Sequence, residues 1–513
     1  MNAETVVPLI LGEHDPRSQE ELEKLSAQNL QNIIYQANPD LLKSWLPLIV
    51  SALKTGKMGE MLINGFSQYA IGDHEGLKAT IRILQSGQAD KNKQAVIDYE
   101  CKVLENRKDF SFGNFDSVIK RYDELSTINL KTLTRSRAEQ FTNHRVMFAT
   151  AFFLQDKEKF NAIYANIENL FSGDFGSISH VNMNTYRAMH LFMSGNYIEA
   201  NEFALAAVKL SDELKISGAY SPFEAAYILA DTYLEFGENK KSLEFTENYL
   251  ARALEFNQYP WIAAFYAKLS VYNLQEGNIS AALSAIRKGR ECIEGPLFNP
   301  ALSLPLDIHE LMIRLQLEDI QRINELIPRL PNNKIGDGFK FAIQMKKNPA
   351  SIVEIAPLMP ETNDHEKFHK ESILALIYSE NRNLAIPHVK KAIELAEKNG
   401  YFRSLVYAPQ VIRNYILDIA AEKSTIYLEK LSKVIRFQAS RMSESYATDH
   451  IPLTKRELDV LRRLGTNMPI TKIAASMHIS NNTIKTHLKN VYRKLNVESR
   501  NEAVARGKEL SLL

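Results

Sequence analysis

Near the C-terminal end, Ile484, Leu488, Val491 and Leu495 recur at i, i+4, i+7 and i+11, the spacing of a buried helical stripe. At roughly 100° per residue the opposite face carries Asn482, Lys485, Thr486, Lys489 and Arg493. Amides, hydroxyls and cations on one stripe suit duplex DNA. A lysine ammonium can donate to guanine O6 and N7, and a threonine methyl can pack on a thymine methyl. A second string also spells chemistry: His365-Glu366-Lys367-Phe368-His369 is HExxH, two imidazoles and a carboxylate as in zinc hydrolases. Its surroundings argue against that reading. It follows Pro360-Glu361-Thr362-Asn363-Asp364 and is crowded by Lys367, Lys370 and Glu371, whereas a catalytic zinc helix is apolar around its ligands. No Ser/His/Asp or Cys/His site stands out, so neither a catalytic activity nor a cofactor is expected, and no residue is assigned to a metal.

The DNA-facing stripe needs a scaffold, and the preceding residues supply one. Thr454 with Glu457 three residues on is a capping-box spacing, and Leu458, Leu461 and Leu464 form the buried stripe of the helix it opens. Asn467 stands where the chain must turn, and Asn tolerates the left-handed region. Pro469 suits a first helical position. A second helix runs through Ile473, Ala474 and Met477, His478-Ile479 forms a turn, and Ser480 or Asn481 caps the helix that carries the stripe.

Leu453-Thr454-x-Arg456-Glu457-x-x-Val460-Leu461, Ile473-Ala474, Ser480-x-x-Thr483-Ile484-Lys485-x-His487, Lys494-Leu495 and Arg500-x-x-Ala503 resemble the LuxR-type (GerE-like) helix-turn-helix family. The resemblance covers Leu453 to about Gly507. It implies a four-helix domain whose last helix, about Ser499 to Lys508, dimerises on inverted-repeat sites. It also implies that Lys485, Thr486 and Lys489 lie at base-reading positions, with Asn482, Thr483 and Arg493 on the DNA backbone. Two positions depart from the family pattern: Asn467 replaces the usual Gly, and Pro469 the usual Ser before the second helix.

The long segment before this domain reads as helix after helix. A turn of Gly plus Asp or Asn between two apolar helices appears at Gly72-Asp73, Gly113-Asn114, Gln155-Asp156, Gly195-Asn196, Gly237-Glu238-Asn239 and Gly277-Asn278. The step is about 41 residues, the signature of stacked helical hairpins. Ala200, Ala204, Ala207, Ala281, Ala282 and Ala285 are small where helices must approach. Prolines between Pro296 and Pro360 predict shorter, less regular helices there. The pattern returns from Ile373 to Arg403, and a last helix is expected from Ile426 to Arg441. This region looks like the tetratricopeptide-type effector region of MalT-like regulators. Large members of that group carry an NTPase domain, but GxxxxGK[ST] is lacking here: Lys54-Thr55-Gly56-Lys57-Met58 has Ser51 where the first Gly belongs.

The expected fold is therefore all-α: a helical-hairpin solenoid over 1–442, a linker over 443–452, and a four-helix DNA-binding domain over 453–513. Charge follows the same division. Residues 453–513 hold 12 basic and 5 acidic residues, net +7, which leaves 50 basic and 56 acidic, net −6, for the remainder. A basic module on an acidic body suits phosphate. The two cysteines, Cys101 and Cys292, lie far apart without a CxxC partner, which suits a reducing compartment. No apolar run reaches the ~20 residues of a membrane span, and no basic-then-apolar leader is seen, so a cytoplasmic protein is expected. The reading is a transcription regulator. Its partners would be double-stranded DNA, a second copy on DNA, RNA polymerase, and an unidentified effector in the helical array. The alternative is a protein-interaction scaffold that its C-terminal domain localises to DNA.

Overall fold

Three of the hairpin turns are built by two residues with opposite tasks, whereas Glu238 after Gly237 makes no side-chain cap. Gly72, Gly113, Gly195, Gly237 and Gly277 take φ between +74° and +84°, the left-handed conformation that stops a helix and that Gly adopts without a Cβ penalty. The residue that follows starts the next helix. Side-chain oxygens of Asp73, Asn196 and Asn278 accept the N–H of Gly76, Glu199 and Ala281 at 3.0, 3.3 and 2.9 Å, and Asp156 accepts that of Lys159 at 3.1 Å. That is why the turn signature is Gly followed by Asp or Asn.

The structure, a computed structural model, describes residues 56–86, 91–126, 137–154, 156–170, 177–216, 218–295, 298–317, 319–330, 356, 359, 361–423, 425–436, 453–466, 468–477, 479–495 and 497–509. Among these there is no strand. The helices are α1 Gly56–Ala70, α2 His74–Ser86, α3 Lys91–Ser111, α4 Phe115–Ser126, α5 Arg137–Leu154, α6 Lys157–Leu170, α7 Ser177–Met193, α8 Tyr197–Glu213, α9 Phe223–Glu235, α10 Asn239–Glu255, α11 Tyr259–Gln275 and α12 Ile279–Ile293. There follow α13 Leu304–Gln316, α14 Ile320–Leu326, α15 Asp364–Ile377, α16 Arg382–Asn399, α17 Phe402–Val406 and α18 Gln410–Glu422. Then come α19 over 426–436 and the last four, α20 Lys455–Leu464, α21 Ile470–Ser476, α22 Asn481–Leu495 and α23 Arg500–Glu509. The expected linker 443–452, Gln155, Asn467, His478 and the end of the helix expected to reach Arg441 lie outside the described residues.

The chain forms two compact units. One comprises residues up to Phe265 with Cys292–Pro305 and Leu330–Leu405. Its core is aromatic and small by turns: Phe148, Phe160, Tyr186, Phe223, Trp261 and Phe265 are wholly buried, as are Ala200, Ala204 and Ala207. Within this unit the turns meet segments far along the chain. Asn257 donates to Gly72 O at 3.1 Å while its own carbonyl pairs with His74 Nε2 at 2.9 Å. Asn299 N–H donates to Phe112 O at 2.9 Å, beside Gly113. The Tyr401 hydroxyl donates to Gly195 O, and Phe402 lies against Gly237. Between α9 and its neighbours, Arg145 pairs with the buried Glu224 at 2.8 Å and donates to Ser221 O at 2.6 Å.

The other unit comprises Tyr266–Glu291, Leu306–Arg329 and Val406–Leu513. Here buried Asp307 and Glu310 gather Arg290, Arg314, Arg322 and Arg329. Burial alone would raise the Glu310 carboxyl, but Arg322, Arg290 and Arg314 outweigh it and hold it below its ordinary range. In the first unit, Pro300 opens a short 3₁₀ turn capped by Asn299, and Pro305 lies in the first turn of α13.

Candidate nucleic-acid interface

The four last helices close on a core of their own. Val460, Leu461 and Leu464 of α20, Ile473 and Ala474 of α21 with Met477, Ile484, Leu488, Val491 and Leu495 of α22, and Ala503 of α23 form one apolar cluster. The stripe on α22 is the one its spacing predicts. On α20 the pattern shifts: Val460 is fully buried, while Leu458 is half-buried. A ten-residue helix packed on α21, α22 and α23 turns 460, 461 and 464 inward rather than 458.

The ends of these helices are tied by side chains. Thr454 and Glu457 form the complete capping box: the Thr454 hydroxyl accepts Glu457 N–H, and the Glu457 carboxylate accepts Thr454 N–H at 2.7 Å. The same carboxylate meets Lys494 of α22 at 2.6 Å. Burial alone would raise this carboxyl, but Lys494 and the Thr454 donors outweigh it and hold it below the usual range. Arg500 donates to Leu464 O at 2.8 Å and to Met468 O at 2.8 Å, satisfying a carbonyl left over at the end of α20 and one in the connection to α21. Pro469 is the N-cap of α21, with extended ψ of 145°, one residue ahead of the helical position expected for it. Its missing N–H costs nothing at either place. Ser480, rather than Asn481, caps α22: its hydroxyl accepts Thr483 N–H at 3.1 Å and lies 2.8 Å from Thr483 Oγ1.

Asn482, Thr483, Lys485, Thr486, Lys489 and Arg493 are all exposed on α22. Asn482, Lys485, Thr486, Lys489 and Arg493 form the face opposite the buried stripe. Thr483 differs, because its hydroxyl is engaged in the cap. Thr486 Oγ1 donates to Asn482 O at 3.1 Å, so without breaking that bond it offers its methyl and a hydroxyl oxygen that can only accept. The helix starts in the open, with its cations on one side. Lys494 and Arg500 add positive charge but are committed to holding helices together. The residue types predict a basic domain; they do not separate these two structural cations from the ligand-facing ones, because that depends on which carboxylate and carbonyls the tertiary packing brings near.

Residues 451–506 match the family described as bacterial regulatory proteins, luxR family. The C-terminal domain is a LuxR-family helix-turn-helix. Among proteins similar to the chain, the nitrate/nitrite response regulator protein NarP of Escherichia coli (strain K12) is 36% identical over 83 residues, covering 16% of this chain and 36% of that protein. The CsgBAC operon transcriptional regulatory protein of the same strain is 41% identical over 107 residues, covering 21% and 48%. The HTH-type transcriptional regulator MalT of Vibrio cholerae is 24% identical over 171 residues, covering 29% of this chain and 19% of that protein. The chain thus spans less than half the length of each of these relatives. The Cut9–Hcn1 hetero-tetramer of the APC/C is a solved structure similar to 82% of the chain and 72% of its own, at a TM-score of 0.39 and 11% identity.

The HExxH string opens α15. Glu366 is consumed there: its carboxylate accepts Thr362 N–H at 2.8 Å and the Thr362 hydroxyl at 2.5 Å, while Asn363 accepts Glu366 N–H at 2.9 Å. The residue that would act as a hydrolytic base is part of a helix start. No described helix is long and apolar enough to cross a membrane.

Proposed function

We propose that the chain is a sequence-specific DNA-binding transcription regulator whose helical array controls the C-terminal reader. The observation that carries this is the exposed face of α22: three cations, an amide and a threonine methyl on a capped helix, standing on an independent four-helix core, in a LuxR-family segment. Lys485, Thr486 and Lys489 read base edges in the major groove, and Asn482, Thr483 and Arg493 position the helix on phosphates. Two copies bind an inverted repeat through α23, and RNA polymerase is the contact through which transcription changes. The domain division is 1–442, 443–452 and 453–513, in the cytoplasm.

Control of the reader is supported by a contact within the second unit. Arg462 of α20 donates to Gln321 and lies 3.8 Å from Asp319 Oδ2. A body that holds the reader in this way can release it when an effector binds the array. The second reading is an interaction scaffold localised to DNA by its reader.

Selection from random duplex DNA at fixed salt, with the full chain and with residues 443–513 in parallel, tests the reader, and a stable protein partner recovered with residues 1–440 independently of any metabolite would favour the scaffold. Enrichment of one inverted repeat by either protein supports the regulator. Enrichment by the fragment alone supports a body that holds the reader off. Failure of both to enrich any site overturns sequence-specific recognition.

A further inference from the structure

Although Glu366 is spent on the helix start, the two histidines of the string are brought together. His365 and His369 stand one turn apart on α15, and their Nε2 atoms lie 3.1 Å from each other. Their rings meet edge to face, with centroids 4.3 Å apart. That separation between nitrogens is what two imidazoles show when both bind one ion at about 2.0–2.1 Å each. It equally suits a single shared proton, so the arrangement needs no ion to exist but is ready for one.

The geometry is held from outside the pair. A Cβ placed on Gly195 would fall 2.3 Å from His365 Cβ, so the turn before α8 presses directly on this side chain. The Tyr401 ring stands edge-on to His365 with centroids 5.5 Å apart, and Tyr401 is itself bonded to Gly195 O. Phe368, buried between the two histidines in sequence, packs on Tyr401. The Tyr197 hydroxyl lies 3.4 Å from His365 Nε2. Its phenol is pushed well above its ordinary range by burial, so it stays an O–H group, and its hydrogen bond to His365 Nε2 is one that an ion at that nitrogen would displace. His369 is exposed, which leaves a path from solvent.

We propose that His365 and His369 form a two-imidazole site for a divalent transition-metal ion, with Cu²⁺ bound in preference to Ni²⁺ or Zn²⁺ and water completing the coordination. Imidazole nitrogen suits these ions, and the order is the general one for nitrogen ligands. Among the described residues no group of three or more His, Cys, Asp or Glu is placed around an ion, so the site is a chelate of moderate affinity and not a structural zinc cage. No hydrolysis follows from it, because Glu366 is not available as a base. The ion would sit beside Tyr197 at the start of α8, 168 residues before His365 along the chain.

The test is calorimetric titration of untagged full chain with CuCl₂, NiCl₂ and ZnCl₂, with Cu²⁺ electron paramagnetic resonance to count nitrogen ligands. The chain has 12 histidines, so His365→Gln and His369→Gln are compared with the parent. His369 is exposed, so His369→Gln should retain the fold, which circular dichroism checks. The expected result is one saturable Cu²⁺ site with two nitrogen ligands, weakened at least about tenfold in each variant and more at pH 5.5 than at pH 7.5, since protons compete for the same nitrogens. Tyr197→Phe should keep both nitrogens. Absence of a stoichiometric site, or one that survives either substitution, overturns the proposal.

Discussion

Lys485 and Lys489 are exposed one turn apart on α22. If they reach base edges, losing one removes discrimination as well as affinity. Lys485→Ala and Lys489→Ala are each expected to weaken binding to the selected site by about 1–3 kcal/mol and to relax preference at one position. Binding measured on the selected site and on single-base variants checks this; a uniform loss across sequences would place both side chains on phosphates instead. Glu457 is a contrasting residue. It closes the capping box and meets Lys494 from inside, so Glu457→Ala leaves two N-terminal donors and a half-buried ammonium without their acceptor. A loss of about 3 kcal/mol is expected, read as a lowered unfolding midpoint of residues 443–513 at neutral pH. The capping box was legible because Thr and Glu three apart are a local code. The Lys494 bond was not, since it joins residues 37 apart that only the α20–α22 packing brings together.

At the level of elements, the hairpin period was readable because each turn repeats one local task, and glycine with Asp or Asn announces it. What the period could not carry is the second demand on those glycines. Gly195 is needed for its φ of +84° and also because His365 Cβ stands where its own Cβ would be. Gly237 has φ of +74°, but its nearest obstacle is the edge of the Phe402 ring at 3.1 Å, which can give way. Gly195→Ala should therefore cost more than Gly237→Ala: about 2 kcal/mol or more against about 1. Thermal unfolding of the two full-length variants decides it, and equal shifts would mean that the His365 side chain does not press on the turn. The same reasoning explains why Asn257, at φ 49°, escaped the repeat pattern. It turns the chain between hairpins rather than within one, and its amide and carbonyl serve Gly72 and His74 rather than its own helix.

Charge divided the chain in two before any fold was known, because formal charge sums over residues without regard to their contacts. Titration does not sum in that way, and the body's histidines show it. Burial lowers the His74, His144 and His190 imidazoles, His144 to about 4. Nδ1 of His74 and of His190 is buried without a hydrogen-bond partner, so a proton arriving there finds no acceptor. In the unfolded chain each titrates near 6.5. Between that value and the lower folded one the unfolded state binds more protons, and stability falls as pH falls. His144 alone accounts for about 3 kcal/mol across its window. Glu235 works in the opposite direction: burial raises its carboxyl despite Arg403 and the Ser404 donors, so its protonation favours the folded form as pH drops. One such group does not offset three imidazoles. The melting temperature of the full chain should therefore decline from pH 7 to pH 5, above the range where ordinary carboxylates begin to titrate. His144→Gln should shorten that decline, because Tyr122, whose hydroxyl bonds His144 Nδ1 at 2.8 Å, can bond an amide that takes no proton. A flat profile over the same range would mean that these imidazoles are reached by solvent and titrate as they do in the unfolded chain.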